Sequence, residues 1–304
     1  MVKPGVKVPV SGPTFVIPVY NGMPFLPEAV ESVLAQTDRI WNLVLVDDGS
    51  HDGSQSYIKS LADPRVRTFF NESNLGLYGS LMRTVSSIHS EWIAVLMQDD
   101  RLKPCYLHEM ERLRSTYPGA AAFWATEDII GPDGALITRA NSTRREEIIL
   151  PGTAPWLSVL RRGCIWTISG SFTKRDVFIA EPFRADLPHC GDYDWLLRAI
   201  RRWPFVYYQF ALAELRQHEG QASARNLAAG TDIREHHSIL RRNYYRHAND
   251  LPVKVAFEVS FHRFRLTMRR LVSAIIHGRL GKAMLLAKYA LKFLWLPYAR
   301  LYSS

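Results

Sequence analysis

The stretch Trp92-Ile-Ala-Val-Leu-Met-Gln-Asp-Asp-Arg101 organises the chain. Its apolar run reads as a strand buried on both faces, as in a parallel sheet. It stops at two adjacent carboxylates, Asp99 and Asp100. Ligands of open α/β sheets gather at the carboxyl ends of strands. An acidic pair there suits a hard divalent cation held against a phosphate. Asp is also common in turns, so a solvated turn ahead of Pro104 is the plainer reading.

Working back toward the amino end, the same arrangement recurs. Thr14–Pro18 is a short apolar strand followed by the turn Val19-Tyr-Asn-Gly22, and a helix face of Leu26, Val30, Val33 and Leu34 comes next. Leu43–Val46 is a second buried strand, running into Asp47-Asp-Gly-Ser50. A helix over about 52–61, a strand at Val66–Phe70, and the loop Asn74-Leu-Gly-Leu-Tyr-Gly79 opening a helix lead back to Trp92. Strands alternating with helices of this length predict right-handed crossovers and a mostly parallel sheet.

Beyond Asp100 the pattern loosens. A helix is expected from Pro104 to Tyr117, a strand at Ala121–Ala125, and a hairpin over Glu127–Thr138 around Pro132-Asp-Gly134. Leu150–Arg162 reads as a helix and Cys164–Ile168 as a strand. Gly191-Asp-Tyr-Asp-Trp-Leu-Leu-Arg198 opens a helix with two acids in its first turn. Phe205–Tyr208 reads as a strand, and Arg216–Ser223 as a polar loop.

Bulk composition narrows the class. The 304 residues are 47% hydrophobic and 22% charged, which describes a globular chain. Residues 1–13 hold no apolar core segment, so no leader is expected. No uncharged apolar run approaches roughly 20 residues, so no spanning helix is expected. Cys105, Cys164 and Cys190 are too scattered for a zinc site or a disulfide framework, which fits a reducing cytosol.

The net charge of +9 is unevenly placed. From Lys254 onward there are ten Lys and Arg and one acid, Glu258, leaving 28 basic and 28 acidic residues before it. A neutral body with a basic tail argues against nucleic-acid binding. The tail has two helical patterns, Val255–His277 and Gly281–Leu296. Their apolar and aromatic residues are interrupted by Arg263, Arg265, Arg269, Arg270, Lys282, Lys288 and Lys292. Such helices lie in a membrane interface, with Trp295 and Tyr298 at headgroup level, or pack on the core or on another chain. Thr231–His247 reads as a helix packing on the body.

Ile17-Pro-Val-Tyr-Asn21, Val46-Asp-Asp-Gly-Ser50, Asn74-Leu-Gly76, Gln98-Asp-Asp100 and Gly191-Asp-Tyr-Asp194 arrive in this order. Together they resemble the family 2 glycosyltransferases over roughly residues 12–223. Gln98-Asp-Asp100 with Leu102 and Pro104 is most similar to bacterial rhamnosyl- and related transferases of surface polysaccharide. The resemblance implies a GT-A (Rossmann-like) α/β fold, with a mostly parallel central sheet flanked by helices and a C-terminal helical extension. It implies a transferase domain over 1–245, with a nucleotide-binding half at about 12–100 and an acceptor half at about 101–225. Residues 246–304 form the basic tail.

The resemblance also implies inverting transfer from a nucleotide-diphosphate sugar (UDP- or dTDP-linked) with Mg²⁺ or Mn²⁺. The acceptor would be a glycan or lipid-linked glycan. The protein would sit in the cytoplasm, peripheral on the inner face of the plasma membrane. Asp100 and Asp99 would ligate metal, with Asp99 also near the ribose and His218 a further candidate ligand. Asp48 would accept from the nucleobase imide, with Asp47 beside it. Pro18, Tyr20, Asn21, Asn74 and Gly76 would line the donor site. Arg83 and Arg216 would contact the diphosphate, and Asp192 would be the general base. Plainer alternatives stand beside these: an Asx turn for Asp47 and Asp48, a cap for Asp192, a solvated loop for Arg216 and His218, and a solvent-facing position for Arg83.

Three positions depart from the family pattern: Met97 where relatives carry an acid, Met82 where Asn is common, and Gly191 where Glu is common. Two rival functions remain. A non-catalytic GT-A-fold binding protein would account for Met97. A sugar-phosphate nucleotidyltransferase would need a basic glycine-rich loop after the first strand, where Val19–Pro24 has no Lys or Arg.

Overall fold

The computed structural model describes residues 12–299. The first eleven residues, read above as lacking a leader, and the last five lie outside them. The chain forms two compact units. The first holds residues up to Ile149, Trp166–Ala185 and Trp203–Gln217. The second holds Leu150–Ile165, Asp186–Arg202 and His218 onward. The boundary expected near 246 falls inside the second unit.

The first unit is built on one sheet. Strands β1 (Thr14–Val19), β2 (Asn42–Asp47) and β4 (Trp92–Val95) are buried at every position. This is the signature of parallel strands covered on both faces. β3 (Val66–Phe70) is the edge strand and is partly exposed throughout. The order β3-β2-β1-β4 is parallel throughout. Helix α1 (Leu26–Leu34) buries Leu26, Ala29, Val30 and Val33, one face at helical spacing. Burial of each of the Leu and Val side chains contributes about 1.5–3 kcal/mol. Helices α2 (Ser54–Ser60) and α3 (Gly76–Ser87) complete the crossovers.

Past β4 the sheet turns mixed. It continues through β9 (Ser171–Lys174), β6 (Ala122–Ile130), β10 (Phe205–Arg216) and β5 (Arg101–Leu102). β9 is antiparallel to both β4 and β6, while β6 and β10 are parallel. β7 (Leu136–Thr138) folds back on β6, and β8 (Arg145–Ile149) pairs with β10. Helices α4 (Tyr106–Thr116) and α6 (Arg175–Ala180) belong to this unit.

Several expectations need correction. Cys164–Ile168 is irregular rather than a strand. The sheet position goes to Ser171–Lys174, after a turn in which Gly170 adopts φ +75° and its N–H donates to the Val95 carbonyl. β10 runs eight residues beyond Tyr208, so Arg216 closes a strand and is not in a loop. β5, β8, α6 and α8 (Ala222–Ala229) are additional elements. The polar composition of Arg145–Ile149 hides β8, whose edge pairing is backbone hydrogen bonding.

The second unit is helical: α5 (Thr153–Arg162), α7 (Gly191–Ala199), α8, α9 (Thr231–Arg246), α10 (Val253–Ile276) and α11 (Leu280–Ala299). The Trp156 indole N–H donates to Asn243 Oδ1 at 3.2 Å, and the Tyr244 hydroxyl donates to the Ala256 carbonyl at 3.0 Å. These bonds join α5, α9 and α10.

Candidate active site

In the first unit the turns after β1 and β2 are laced together. The Asn21 N–H donates to Ser50 Oγ at 2.9 Å, and Asn21 Oδ1 accepts from the His51 N–H at 2.8 Å. Asn21 holds φ +50°, a conformation Asn tolerates better than most residues. The Gly22 and Met23 N–H groups donate to Ser54 Oγ and Asp52 Oδ2. Gln98 ties the β4 end to the same turn: its Oε1 accepts from the Tyr20 N–H at 2.8 Å and its Nε2 donates to the Tyr20 carbonyl at 3.1 Å. A Cβ on Gly22 would meet that Oε1 at 2.8 Å, so a larger residue there would push the Gln98 amide out of its place. Tyr20 is left 42% exposed, open to a ligand. Pro18 sits one position before the strand end, paired in register with Val46.

The two acids after β2 have different roles. Asp47 is fully buried, and its Oδ1 accepts from the Gly49 and Ser50 N–H groups and from Gln55 Nε2. It is a turn former. Asp48 Oδ1 accepts from Asn71 Nδ2 at 2.8 Å and from the Leu75 N–H at 2.9 Å. Asn71 Oδ1 accepts from Arg83 Nη1 at 3.0 Å, and Asn74 Oδ1 accepts from the Gly76 N–H at 2.8 Å. Asn71 therefore links Asp48 to Arg83, and the Leu75 N–H, between Asn74 and Gly76, reaches the same Asp48 carboxylate. The sequence reading passed over Asn71, although its place directly after β3 was a signal.

Asp99 and Asp100 lie in the turn that follows β4, two residues of which (Leu96 and Met97) extend past the strand. Asp100 is buried, and its Oδ1 accepts from the Arg216 N–H at 2.9 Å. Burial and the neighbouring Asp99 charge push its carboxyl far above the ordinary range. Arg216 is almost wholly buried. Its Nε donates to the Asp99 carbonyl at 2.9 Å, its Nη1 to the Gly131 and Pro132 carbonyls, and its Nη2 to Glu28 Oε2 at 2.6 Å. Arg101 joins the network through Glu28 and Glu214. The guanidinium thus braces the acidic turn, a different task from the diphosphate contact expected of it.

Among the described residues no three His, Cys, Asp or Glu side chains gather into a metal cage. His218 is half-buried in the loop after β10 and does not complete such a set. The Asp99–Asp100 pair by itself suits Mg²⁺ or Mn²⁺ of the kind that keeps several waters and takes its remaining ligands from substrate phosphates. Burial and Asp99 raise the Asp100 carboxyl even though Ser169 and Arg216 act to lower it, and a cation between the two acids would relieve that cost.

Glu127 was also missed. It sits on β6 in register with Ala213, which in turn faces Leu102 on β5. Its carboxylate accepts from the Thr167 hydroxyl, and burial pushes it up to about 7. No periodicity marks it, because its partner Thr167 lies 40 residues on in an irregular segment.

In the second unit Asp192 occupies the first turn of α7. Its Oδ1 accepts from the Tyr193 N–H at 2.7 Å. Burial lifts its carboxyl to about 6, and the Glu235 charge adds to the rise. Glu235, on α9, is a further residue the sequence did not reveal. Its Oε2 accepts from the His189 and Cys190 N–H groups at 3.1 and 2.7 Å, capping the start of α7 from outside. Asp194 pairs with Arg198 at 3.0 Å and serves the helix. Cys190 Sγ lies 3.3 Å from His236 Nδ1. Burial raises the thiol strongly and lowers His236 to about 3, so the pair is neutral.

Comparison with known proteins accords with this arrangement. The succinoglycan biosynthesis protein ExoO of Rhizobium meliloti is 32% identical over 141 residues, covering 45% of this chain and 40% of that protein. An uncharacterized glycosyltransferase of Rickettsia felis is 25% identical over 219 residues, covering 70% of this chain and 35% of that protein. The chain therefore spans well under half the length of both. The crystal structure of S. aureus TarS 1–349 in complex with UDP-GlcNAc superposes with a TM-score of 0.59 at 12% identity, over 95% of this chain and 92% of that one. That likeness is one of fold, and the fold is of the GT-A type. The family model described as Glycosyl transferase family 2 matches residues 14–152, the stretch carrying the laced turns and the acidic pair.

Proposed function

We propose that the chain is an inverting glycosyltransferase. It moves a sugar from a nucleotide diphosphate, UDP- or dTDP-linked, to a glycan or lipid-linked glycan of a surface polysaccharide. The observation that carries this reading is the acidic Asp99–Asp100 turn, braced by Arg216 at the carboxyl end of β4 within the family 2 segment. ExoO is named for succinoglycan biosynthesis and the TarS structure holds UDP-GlcNAc, which supports this donor and acceptor class.

In this reading Tyr20, Asn21 and Pro18 shape the nucleoside end of the site, and Asp48 receives the base within the patch it shares with Asn71, Asn74, Gly76 and Arg83. Asp100 and Asp99 hold Mg²⁺ or Mn²⁺, which when bound neutralises charge on the leaving diphosphate. Asp192 takes the proton from the attacking acceptor hydroxyl. Its carboxyl near 6 makes it a stronger base than an exposed Asp and leaves it mostly ionised at neutral pH. Arg216 fixes the turn that presents Asp99 and Asp100. The protein works on the inner face of the plasma membrane, against anionic lipid. No described helix is long and apolar enough to cross the bilayer.

The test is calorimetry of a panel of nucleotide sugars with and without Mn²⁺. Metal-dependent binding of one diphosphate sugar is the expected outcome. Folded protein that binds none of them would overturn the proposal.

A further inference from the structure

Helix α11 has two apolar faces. Ala283, Leu286, Ala290 and Phe293 are buried. Leu280, Met284, Leu291 and Trp295 fall at i, i+4, i+11 and i+15, which puts them on one other face. They are 70%, 72%, 59% and 64% exposed. Ile275 and Ile276, at the end of α10, continue the exposed apolar surface. A contiguous stripe of large apolar side chains is unusual on a surface that faces only water.

The charges beside this stripe are of one sign. Lys288 and Lys292, exposed, follow it at the adjoining helical positions, and Arg279 is exposed at the α10–α11 turn. From Lys254 onward the chain has one acid, Glu258, and that acid is paired with Arg161 at 3.1 Å. An apolar stripe edged by lysines with an aromatic residue near its end matches an interface with anionic headgroups above an acyl layer. A protein partner would have to offer an acidic rim and an apolar groove together.

We infer that the outer face of α11, Leu280, Met284, Leu291 and Trp295, with Ile275 and Ile276, lies in an anionic lipid leaflet while Lys288 and Lys292 meet its headgroups. This rests on the membrane part of the proposed function and names the surface that performs it. The helix lies along the interface, and its buried face stays packed within its own unit.

The full chain is sedimented with vesicles of phosphatidylglycerol and phosphatidylcholine, and with phosphatidylcholine alone. Binding only to the anionic vesicles is expected. Met284→Glu with Leu291→Glu should lower partitioning by about tenfold or more, and Lys288→Glu with Lys292→Glu by a similar factor. All four positions are on the outer face, and unchanged circular dichroism and thermal midpoint establish that the variants fold. Anionic-vesicle binding that the variants leave intact would overturn the assignment of this face. Absence of vesicle binding by the wild type would overturn the membrane reading itself. A concentration-dependent dimer broken by the same substitutions would show that a second copy covers the face. Nucleotide-sugar calorimetry on the same preparations reports the transferase reading separately.

Discussion

Asp100 and Asp192 are both drawn out of water, and the surroundings of each differ in kind. Asp100 stands next to a second acid, Asp99, and is held by a backbone N–H of the deeply buried Arg216. Burial and the Asp99 charge outweigh the help of Ser169 and Arg216, an arrangement that favours a cation arriving with substrate. Asp192 sits on a helix start, bonded to the Tyr193 N–H, with Glu235 capping the same helix from α9. Its carboxyl rises only to about 6, the range of a working proton acceptor. Two carboxylates at element ends are thus given different surroundings by their neighbours.

The largest expected effect separates the two. Asp192→Asn should reduce transfer by about 10³-fold and leave donor affinity unchanged, since only proton removal is lost. A parallel loss of donor binding in calorimetry would merge the two sites' roles. Asp100→Ala should do the opposite. Mn²⁺-dependent donor binding should weaken by about a hundredfold, and metal dependence that survives would break the contrast.

Arg216→Met probes the brace. It removes the guanidinium donor from the Pro132 and Asp99 carbonyls and from Glu28, and should lower stability in urea unfolding by about 3 kcal/mol. Arg216→Lys should recover little, because a single ammonium cannot span the forked set of acceptors.

The smallest effect concerns pH. Asp192 acts when ionised, so transfer should rise as pH climbs through about 6. Glu235→Gln removes an anion that holds Asp192 up, and the acid limb should shift by about half a pH unit toward lower pH. An unmoved limb would reduce Glu235 to a cap. The same shift has a stability counterpart. Native Asp192 binds its proton more tightly than the unfolded chain does, so its contribution favours folding below about 4 and is lost as pH rises through 6.

The parallel half of the sheet was readable from residues. Strands β1, β2 and β4 are short runs of apolar side chains buried on both faces, and such runs announce themselves in one dimension. The turns at their carboxyl ends carry the motifs, so Tyr20, Asp48, Asp99 and Asp100 were found together. The mixed half was less legible. β8 is polar, and the stretch at Cys164–Ile168 is apolar without being a strand, because Trp166 is buried from an irregular segment.

Residue types, their order and their strand-end positions were enough to single out these acids as candidates and to show the likeness to family 2, because local chain chemistry sets them. The surroundings of Asp100 and Asp192, on which their proposed roles rest, come from groups distant in the chain. Gln55 and the Gly49 N–H occupy Asp47 from nearby in the chain, whereas Arg216 reaches back 116 residues to Asp100 and Glu235 reaches back to the start of α7. Charge and hydrogen bonding act through space, so the roles of these carboxylates are set by folding rather than by spacing.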